Sequence, residues 1–331
     1  MLNLNRPETA FAINVVRQAS LLVKQVQKEL VSVALTKDDR SPVTVADFAS
    51  QALVAKALGE TFPNLPLVGE EDASDLRQPA GQATLDQVTK FVSRYASQST
   101  PEQVCNWVDY GAGEPGARFW TLDPIDGTKG FLRGDQYAVA LALIEDGQVE
   151  IGVLGCPNLA EGYQTDPEGK GTLAVAVRGE GAWITSLEGE DDPLQQLHVS
   201  DTATADQARL LRSFESGHTN ISQIDYFAQE LGIAVEPVRM DSQAKYILLA
   251  RGNGELYLRL LSPKKPDYRE KIWDQAAGSL IVQEAGGKVS DLHGKNLDFT
   301  AGRMLLNNRG ILASNGQLHE EALQGLQAIK A

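Results

Sequence analysis

Apolar positions along the chain first recur at helical spacing. Phe11, Val15, Val16, Ala19, Leu22, Val23, Val26 and Leu30 share one side of a 3.6-residue repeat over residues 9–31, with Thr9 as a candidate cap. A polar turn from Lys37 to Ser41 leads to a second helix-like run over about 44–58, and 84–98 carries a third. Between them, Leu67-Val68-Gly69 reads as a short strand ending at Glu70-Glu71-Asp72. From 118 to about 200 the pattern is that of strands: Phe119–Leu122, Tyr137–Ile144, Val149–Leu154, Thr172–Val177 and Gly181–Ile184, parted by Gly, Asp and Glu turns.

After residue 200 the two kinds of pattern alternate. Strands are expected at Leu210–Phe214, Val235–Val238, Leu256–Leu260 and Ile311–Ala313, with helices over 221–231, 242–251, 274–285 and from about 317. The expectation is an α/β protein: an α+β part over 1–200 packed on an α/β part over 201–331, without repeats or a long linker.

Composition narrows the choice. A chain of 331 residues, 42% hydrophobic, can bury a large core and is long enough for two domains. A net charge of −14 argues against a nucleic-acid polymer or a membrane surface as partner. An acidic protein that handles an anionic substrate must invert its local field, and divalent cations with a few placed Lys or Arg would do so. Cys105 and Cys156 stand in no CxxC arrangement, so zinc and disulfide frameworks are poor readings and both thiols are taken as buried or inert. With no apolar signal core near Met1 and no long apolar span, the expectation is a soluble, cytoplasmic protein, monomeric or weakly oligomeric.

The chemistry concentrates at Asp123-Pro124-Ile125-Asp126-Gly127-Thr128, after the apolar run Phe119–Leu122. Proline fixes its own φ and biases Asp123 toward extended backbone, so Asp123 is expected at a strand end with Asp126 on the same side of a turn. Two such charges about 4 Å apart repel by about 4 kcal/mol at an effective dielectric of about 20. A cation relieves that repulsion, and hard oxygen ligands select Mg²⁺ or a relative. Lys271-Ile272-Trp273-Asp274 supplies another acid before Gln275-Ala276-Ala277-Gly278, where Asp274 reads as a helix N-cap that also ligates. Small residues would let that helix approach its neighbours closely. Alone, Glu70-Glu71-Asp72 reads as a solvated acidic turn. A haloacid-dehalogenase nucleophile, Asp-x-Asp-Gly-Thr, is disfavoured because two residues separate Asp123 from Asp126 and the strand lies far from the N-terminus.

Taken in order over about residues 37–315, Gly-Glu-Glu, Asp-Pro-Ile-Asp-Gly-Thr and Trp-Asp-x-Ala-Ala-Gly resemble the inositol monophosphatase/fructose-1,6-bisphosphatase superfamily of lithium-sensitive, Mg²⁺-dependent phosphatases. The resemblance implies a layered αβαβα sandwich and two to three Mg²⁺ ions. Glu70, Asp123 and the Ile125 carbonyl would hold one ion; Asp123, Asp126 and Asp274 a second; and Glu70 with waters a third. It further implies that Asp47, in Ser41-Pro42-Val43-Thr44-Val45-Ala46-Asp47, pairs with Thr128 to orient and deprotonate the attacking water. The amides of Gly127 and Thr128, where they open a helix, would receive phosphate oxygens.

Within that superfamily, the segments Phe214–Thr219, Met240–Tyr246 and Leu256–Arg259 resemble the 3′(2′),5′-bisphosphate nucleotidase branch. The implied reaction removes the 3′-phosphate of 3′-phosphoadenosine 5′-phosphate to give AMP, and acts likewise on the 5′-phosphosulfate of sulfur metabolism to give adenosine 5′-phosphosulfate. His218, Ser242, Lys245 and Arg259 would then meet the 5′-phosphate and base of this small-molecule bisphosphate substrate. Lys245, a turn after Ser242 on an expected helix, would place an ammonium and a hydroxyl on one face, and Arg259 would add a fork. On the residues alone, a packed loop histidine, a surface lysine and an exposed strand arginine stay open. So do the roles of Lys264, Lys265 and Tyr268. The alternatives are an inositol mono- or polyphosphate phosphatase and, from another class, a metal- or nucleotide-sensing binding protein.

Overall fold

The computed structural model describes residues 2–31, 41–189, 191–214 and 221–330. Helices α1 (Pro7–Val26) and α2 (Ser41–Thr61) cover one face of a seven-stranded sheet in the order β1 (Leu67–Gly69), β2 (Arg118–Asp126), β3 (Ala138–Glu145), β4 (Gln148–Cys156), β5 (Thr172–Val177), β6 (Gly181–Ser186) and β7 (Gln195–Gln196). β1 runs parallel to β2 and the rest form an antiparallel meander. α3 (Gln82–Val92) and α4 (Pro101–Tyr110) lie in the β1–β2 connection against α2, and α5 (Thr128–Arg133) follows β2 directly.

The period of two along a strand sorts side chains onto the two faces. Val139, Leu141 and Leu143 of β3, with Leu173, Val175 and Val177 of β5, enter the core under α1 and α2. Their alternates, Ala138, Ala140, Ala142, Ala174 and Ala176, make the opposite face smooth. Onto that face pack α7 (Ala244–Ala250) and α8 (Ala276–Glu284), whose far side meets the second sheet. Small residues on both partners permit close approach, as the sequence suggests: a Cβ on Gly152 of β4 would lie 2.7 Å from the Ala277 carbonyl oxygen.

The second sheet has five strands in the order β11 (Lys288–Ser290), β12 (Ile311–Ser314), β10 (Leu256–Arg259), β8 (Leu210–Arg212), β9 (Val238–Arg239). A third core, including Leu210, Leu256, Leu258 and Leu312, lies beneath α6 (Ile221–Glu230) and α9 (His319–Ala328). Helix, sheet, helix, sheet and helix therefore alternate as layers, and the expected α/β sandwich is what the chain forms. No described helix is long and apolar enough to cross a membrane.

Several local expectations need correction. Thr9 caps nothing: α1 begins at Pro7, and the Thr9 hydroxyl is buried inside the helix without a hydrogen-bond partner. Proline at a first helical position lacks only an N–H that would be unpaired anyway. The third run stops at Val92, and a separate helix, α4, starts after Thr100, whose hydroxyl accepts from the Gln103 amide while the Gln103 side chain accepts from the Thr100 amide. β2 does not end at Leu122 but runs to Asp126, with a register shift between Asp123 and Asp126. Most of the Lys37–Ser41 turn lies outside the described residues.

Candidate active site

One three-residue strand and one nine-residue strand, β1 and β2, deliver the first pair of acids. In the parallel β1–β2 pair Gly69 stands opposite Leu122, so Glu70 and Asp123, each one residue on, emerge at the same level. The charge of Glu70 helps to raise the Asp123 carboxyl pKa, so the two acids are near enough to act on each other. The bulge that follows turns Asp126 back toward the same space, and Gly127 leaves the strand with a left-handed φ of 92° before α5 begins at Thr128. A Cβ there would also come within 2.9 Å of the Ser242 Cβ, so glycine admits the second half of the chain to the site.

These residues line a cleft of about 450 Å³ where the two sheets meet across α7 and α8. Glu70, Asp123, Ile125, Asp126 and Asp274 border it, as do Gly127, Thr128, Ser242, Lys245 and Arg259. Burial pushes the carboxyl pKa of Asp123 well up, and the charges of Glu70, Asp126, Asp274 and Asp47 push it further. Burial raises Asp274 likewise, with Asp126, Glu270 and Glu70 adding to it against Arg259. For Asp126 burial prevails over the opposing pull of Lys245 and Arg259. Glu70 is raised by burial and by Asp126, with Asp123 and Lys271 opposing.

Asp47 is half-buried on α2 and set back from the cleft lining. Its pKa is driven well up by burial, then by Glu71 and Glu70, so α2 brings it to the Glu70 side of the cluster. Thr128 lines the cleft itself.

Two positions differ from their sequence-based reading. Asp274 is no N-cap: α8 begins at Ala276 after Gln275, leaving Asp274 in the preceding turn and its carboxylate unspent on helix amides. Ser242 is not on a helical face with Lys245. It precedes α7 with a left-handed φ of 65°, and its Oγ accepts from the Ala244 amide at 3.2 Å. A non-glycine residue held there stores strain of the sort found at ligand sites. Lys245 is buried, its Nζ donating to the carbonyls of Met240 (3.0 Å) and Ser242 (2.8 Å). Burial lowers its pKa to about 8 against the pull of Asp126 and Asp241.

Arg259, at the end of β10, pairs with buried Glu270 at 2.8 Å, and its Nε is buried without a partner. Glu270 accepts in turn from Gln275 Nε2 at 2.9 Å, and Gln275 Oε1 accepts from the Tyr246 hydroxyl at 2.5 Å. His218, with most of the Phe214–Thr219 segment, lies outside the described residues. Tyr268, left open by sequence, borders the cleft; Lys264 and Lys265 are exposed outside its lining. Sequence reasoning missed Lys129, Lys271 and Asp241 in the lining. The first two sit inside motifs already singled out, one residue after Thr128 and three before Asp274, where a signal was available. Asp241 is paired with Arg133 and stands in the Met240–Tyr246 segment, one residue before Ser242, where a signal was likewise available.

The donors suit a hard divalent cation. They are carboxylates and a main-chain carbonyl, and Asp123 Oδ1 is buried without any hydrogen-bond partner. Among the described residues no group of three or more His, Cys, Asp or Glu side chains is already closed to hold an ion.

Comparison with known proteins agrees with this architecture. The family model described as the inositol monophosphatase family matches residues 4–331. A Schizosaccharomyces pombe protein named 3′(2′),5′-bisphosphate nucleotidase is 42% identical over 97% of this chain and 95% of its own. An Oryza sativa protein of the same name is 43% identical over 98% of this chain and 94% of its own. Among solved structures, CysQ from Bacteroides thetaiotaomicron superposes with a TM-score of 0.63 at 20% identity, covering 95% of this chain and 99% of that one. Thermotoga maritima IMPase gives 0.63 at 18% identity, covering 97% of each. With a family model matched almost end to end and relatives above 40% identity over most of both chains, this protein belongs to the inositol monophosphatase family.

Proposed function

We propose that the chain is a Mg²⁺-dependent phosphoric monoester hydrolase that removes the 3′-phosphate of 3′-phosphoadenosine 5′-phosphate, giving AMP, and acts likewise on the corresponding 5′-phosphosulfate. One observation carries the reading: a single cleft sets Glu70, Asp123, Asp126 and Asp274 against Lys245 and Arg259. A bisphosphate has two anionic ends to match, one for a metal-loaded acidic wall and one for fixed cations. The names of the full-length relatives support the same substrate class.

In this reading Glu70, Asp123, Asp126, Asp274 and the Ile125 carbonyl would hold two to three Mg²⁺ ions. When bound, they supply charge neutralisation and a lowered pKa for water. The residues do the rest. Asp47 with Thr128 orients the attacking water and takes up its proton. The amides of Gly127 and Thr128 receive oxygens of the scissile phosphate. Lys245 and Arg259, with Ser242 and His218, fix the 5′-phosphate and base, so that the ester is presented in line.

A panel of substrates at fixed Mg²⁺, with released phosphate as readout, tests this. Adenosine 3′,5′-bisphosphate is expected to be turned over well ahead of inositol 1-phosphate and inositol 1,4-bisphosphate. Preference for the inositol phosphates would move the assignment to that alternative, and no release from any substrate would favour a binding protein.

A further inference from the structure

We infer that Arg303 is a positioning residue for the metal-binding acids: its guanidinium ties the strand end bearing Glu70 to the turn bearing Asp274. The inference rests on the proposed metal role of those two acids and assigns a residue outside the cleft lining.

The ties are specific. Arg303 Nη1 donates to the Gly113 carbonyl at 3.1 Å, and Nη2 donates to the carbonyl of Gly69, the residue before Glu70. The guanidinium carbon lies 5.1 Å from the ring centroid of Trp273, the residue before Asp274. Its own main chain is fixed alongside the same turn: the Ile272 amide donates to the Arg303 carbonyl at 3.2 Å, the Leu305 amide donates to the Glu270 carbonyl at 2.9 Å, and Lys271 pairs with Met304.

Something of this kind is needed. β1 is only three residues long, and past Gly69 the chain leaves the sheet. The like charges of Glu70 and Asp274 oppose bringing the two segments together, and Arg303 is a contact that spans both directly. A cation bonded to the carboxylates would hold them but also compete with Mg²⁺. Arg303 instead spends its donors on main-chain carbonyls and its face on an indole, leaving the acids to the metal. The job needs a planar fork that also stacks, which lysine cannot supply.

Calorimetric titration of Mg²⁺ into the full-length protein tests this, using wild type, Asp123→Asn, Arg303→Lys and Arg303→Met, each with its unfolding midpoint measured metal-free. Wild type is expected to bind and Asp123→Asn not to. Both Arg303 variants should lose about 10-fold or more in Mg²⁺ affinity, as loss of an outer ligand-orienting contact does. At saturating Mg²⁺ their KM for the nucleotide should stay near wild type. A folded Arg303→Lys or Arg303→Met that binds Mg²⁺ as wild type does overturns the inference alone, and so does lost stability at unchanged affinity. If Arg303→Met does not fold, Arg303→Lys decides. Wild type that binds no Mg²⁺, or Asp123→Asn that binds it equally well, overturns the functional reading and this inference with it.

Discussion

The backbone amide of Gln243 donates to Asp126 Oδ2 at 2.6 Å. The Gln243 side chain meanwhile reaches the N-terminal end of α8, its Nε2 donating to the Trp273 carbonyl at 3.0 Å and its Oε1 accepting from the Gly278 amide at 3.1 Å. One buried residue thus joins the acid at the end of β2 to the turn that carries Asp274. Gln243→Leu keeps the amide and the volume but strands a buried N–H and a buried carbonyl. The expected loss is about 1–3 kcal/mol in urea unfolding, accompanied by reduced turnover. An unchanged midpoint with full activity would show that the joint lies elsewhere.

If Lys245 meets the 5′-phosphate as proposed, its loss should weaken recognition of the second phosphate more than catalysis on the first. Lys245→Met preserves most of the buried volume and removes the ammonium that bonds the Met240 and Ser242 carbonyls. For adenosine 3′,5′-bisphosphate, kcat/KM should fall about 30-fold or more, the equivalent of about 2 kcal/mol for a desolvated charge contact. For a simple phosphate monoester the loss should stay within about 3-fold. Equal losses on both would mean that Lys245 holds the loop before α7 and does not discriminate between substrates.

The strands of the first sheet and the pair Asp123 and Asp126 were legible in the sequence because each rests on a local signal, whereas the layer order and the part of Glu70 came only with the family resemblance. Period-two alternation on β3 and β5, and the motif ending in Asp126-Gly127-Thr128, need no tertiary information. Illegible parts depend on partners distant in the chain. Asp241 in the cleft lining pairs with Arg133 of α5, more than a hundred residues away. Gln51, one turn after Asp47, looks like any polar helix residue. It is nevertheless fully buried, donating to the Glu71 and Val108 carbonyls at 2.6 and 2.8 Å and fixing the turn after β1. The Asp274 cap and the Ser242–Lys245 face failed for one reason: both readings began a helix too early, and the freed residues became site residues. α4 differs, since its Thr100–Gln103 capping box was present in the sequence and went unused.

His319 makes stability depend on pH independently of the site. Ser290 Oγ donates to the Asp291 carbonyl, so at 2.9 Å it accepts from His319 Nε2–H, while His319 Nδ1 at 2.8 Å accepts from Ser314 Oγ. The network assigns a neutral Nε2–H imidazole. Burial lowers its pKa to about 4 from an ordinary value near 6.5; Lys288 assists and Glu320 opposes. Below about pH 6.5 the unfolded chain takes up a proton that the folded one refuses, so this contribution is complete above pH 6.5 and declines toward pH 4. The limit is about 3 kcal/mol. Urea midpoints at pH 7 and pH 5 should differ more for wild type than for His319→Gln, and equal differences would remove His319 as the cause.

Asp123 should oppose folding in the metal-free protein. It is 2% exposed, its Oδ1 has no hydrogen-bond partner, and its neighbours include Glu70, Asp126 and Asp274. Asp123→Asn removes charge from that cluster at nearly constant volume, so the metal-free variant is expected to be more stable than wild type by about 1–2 kcal/mol. Added Mg²⁺ should then raise the unfolding temperature of wild type and leave the variant where it was, because on the proposed ligand set the variant lacks a carboxylate that would hold the ion. Activity should fall at least about 1000-fold. The two effects have one origin: a site ready for cations is a set of like charges that the fold alone does not reconcile. A metal-free Asp123→Asn protein that melts below wild type would show that the acids already compensate one another without an ion.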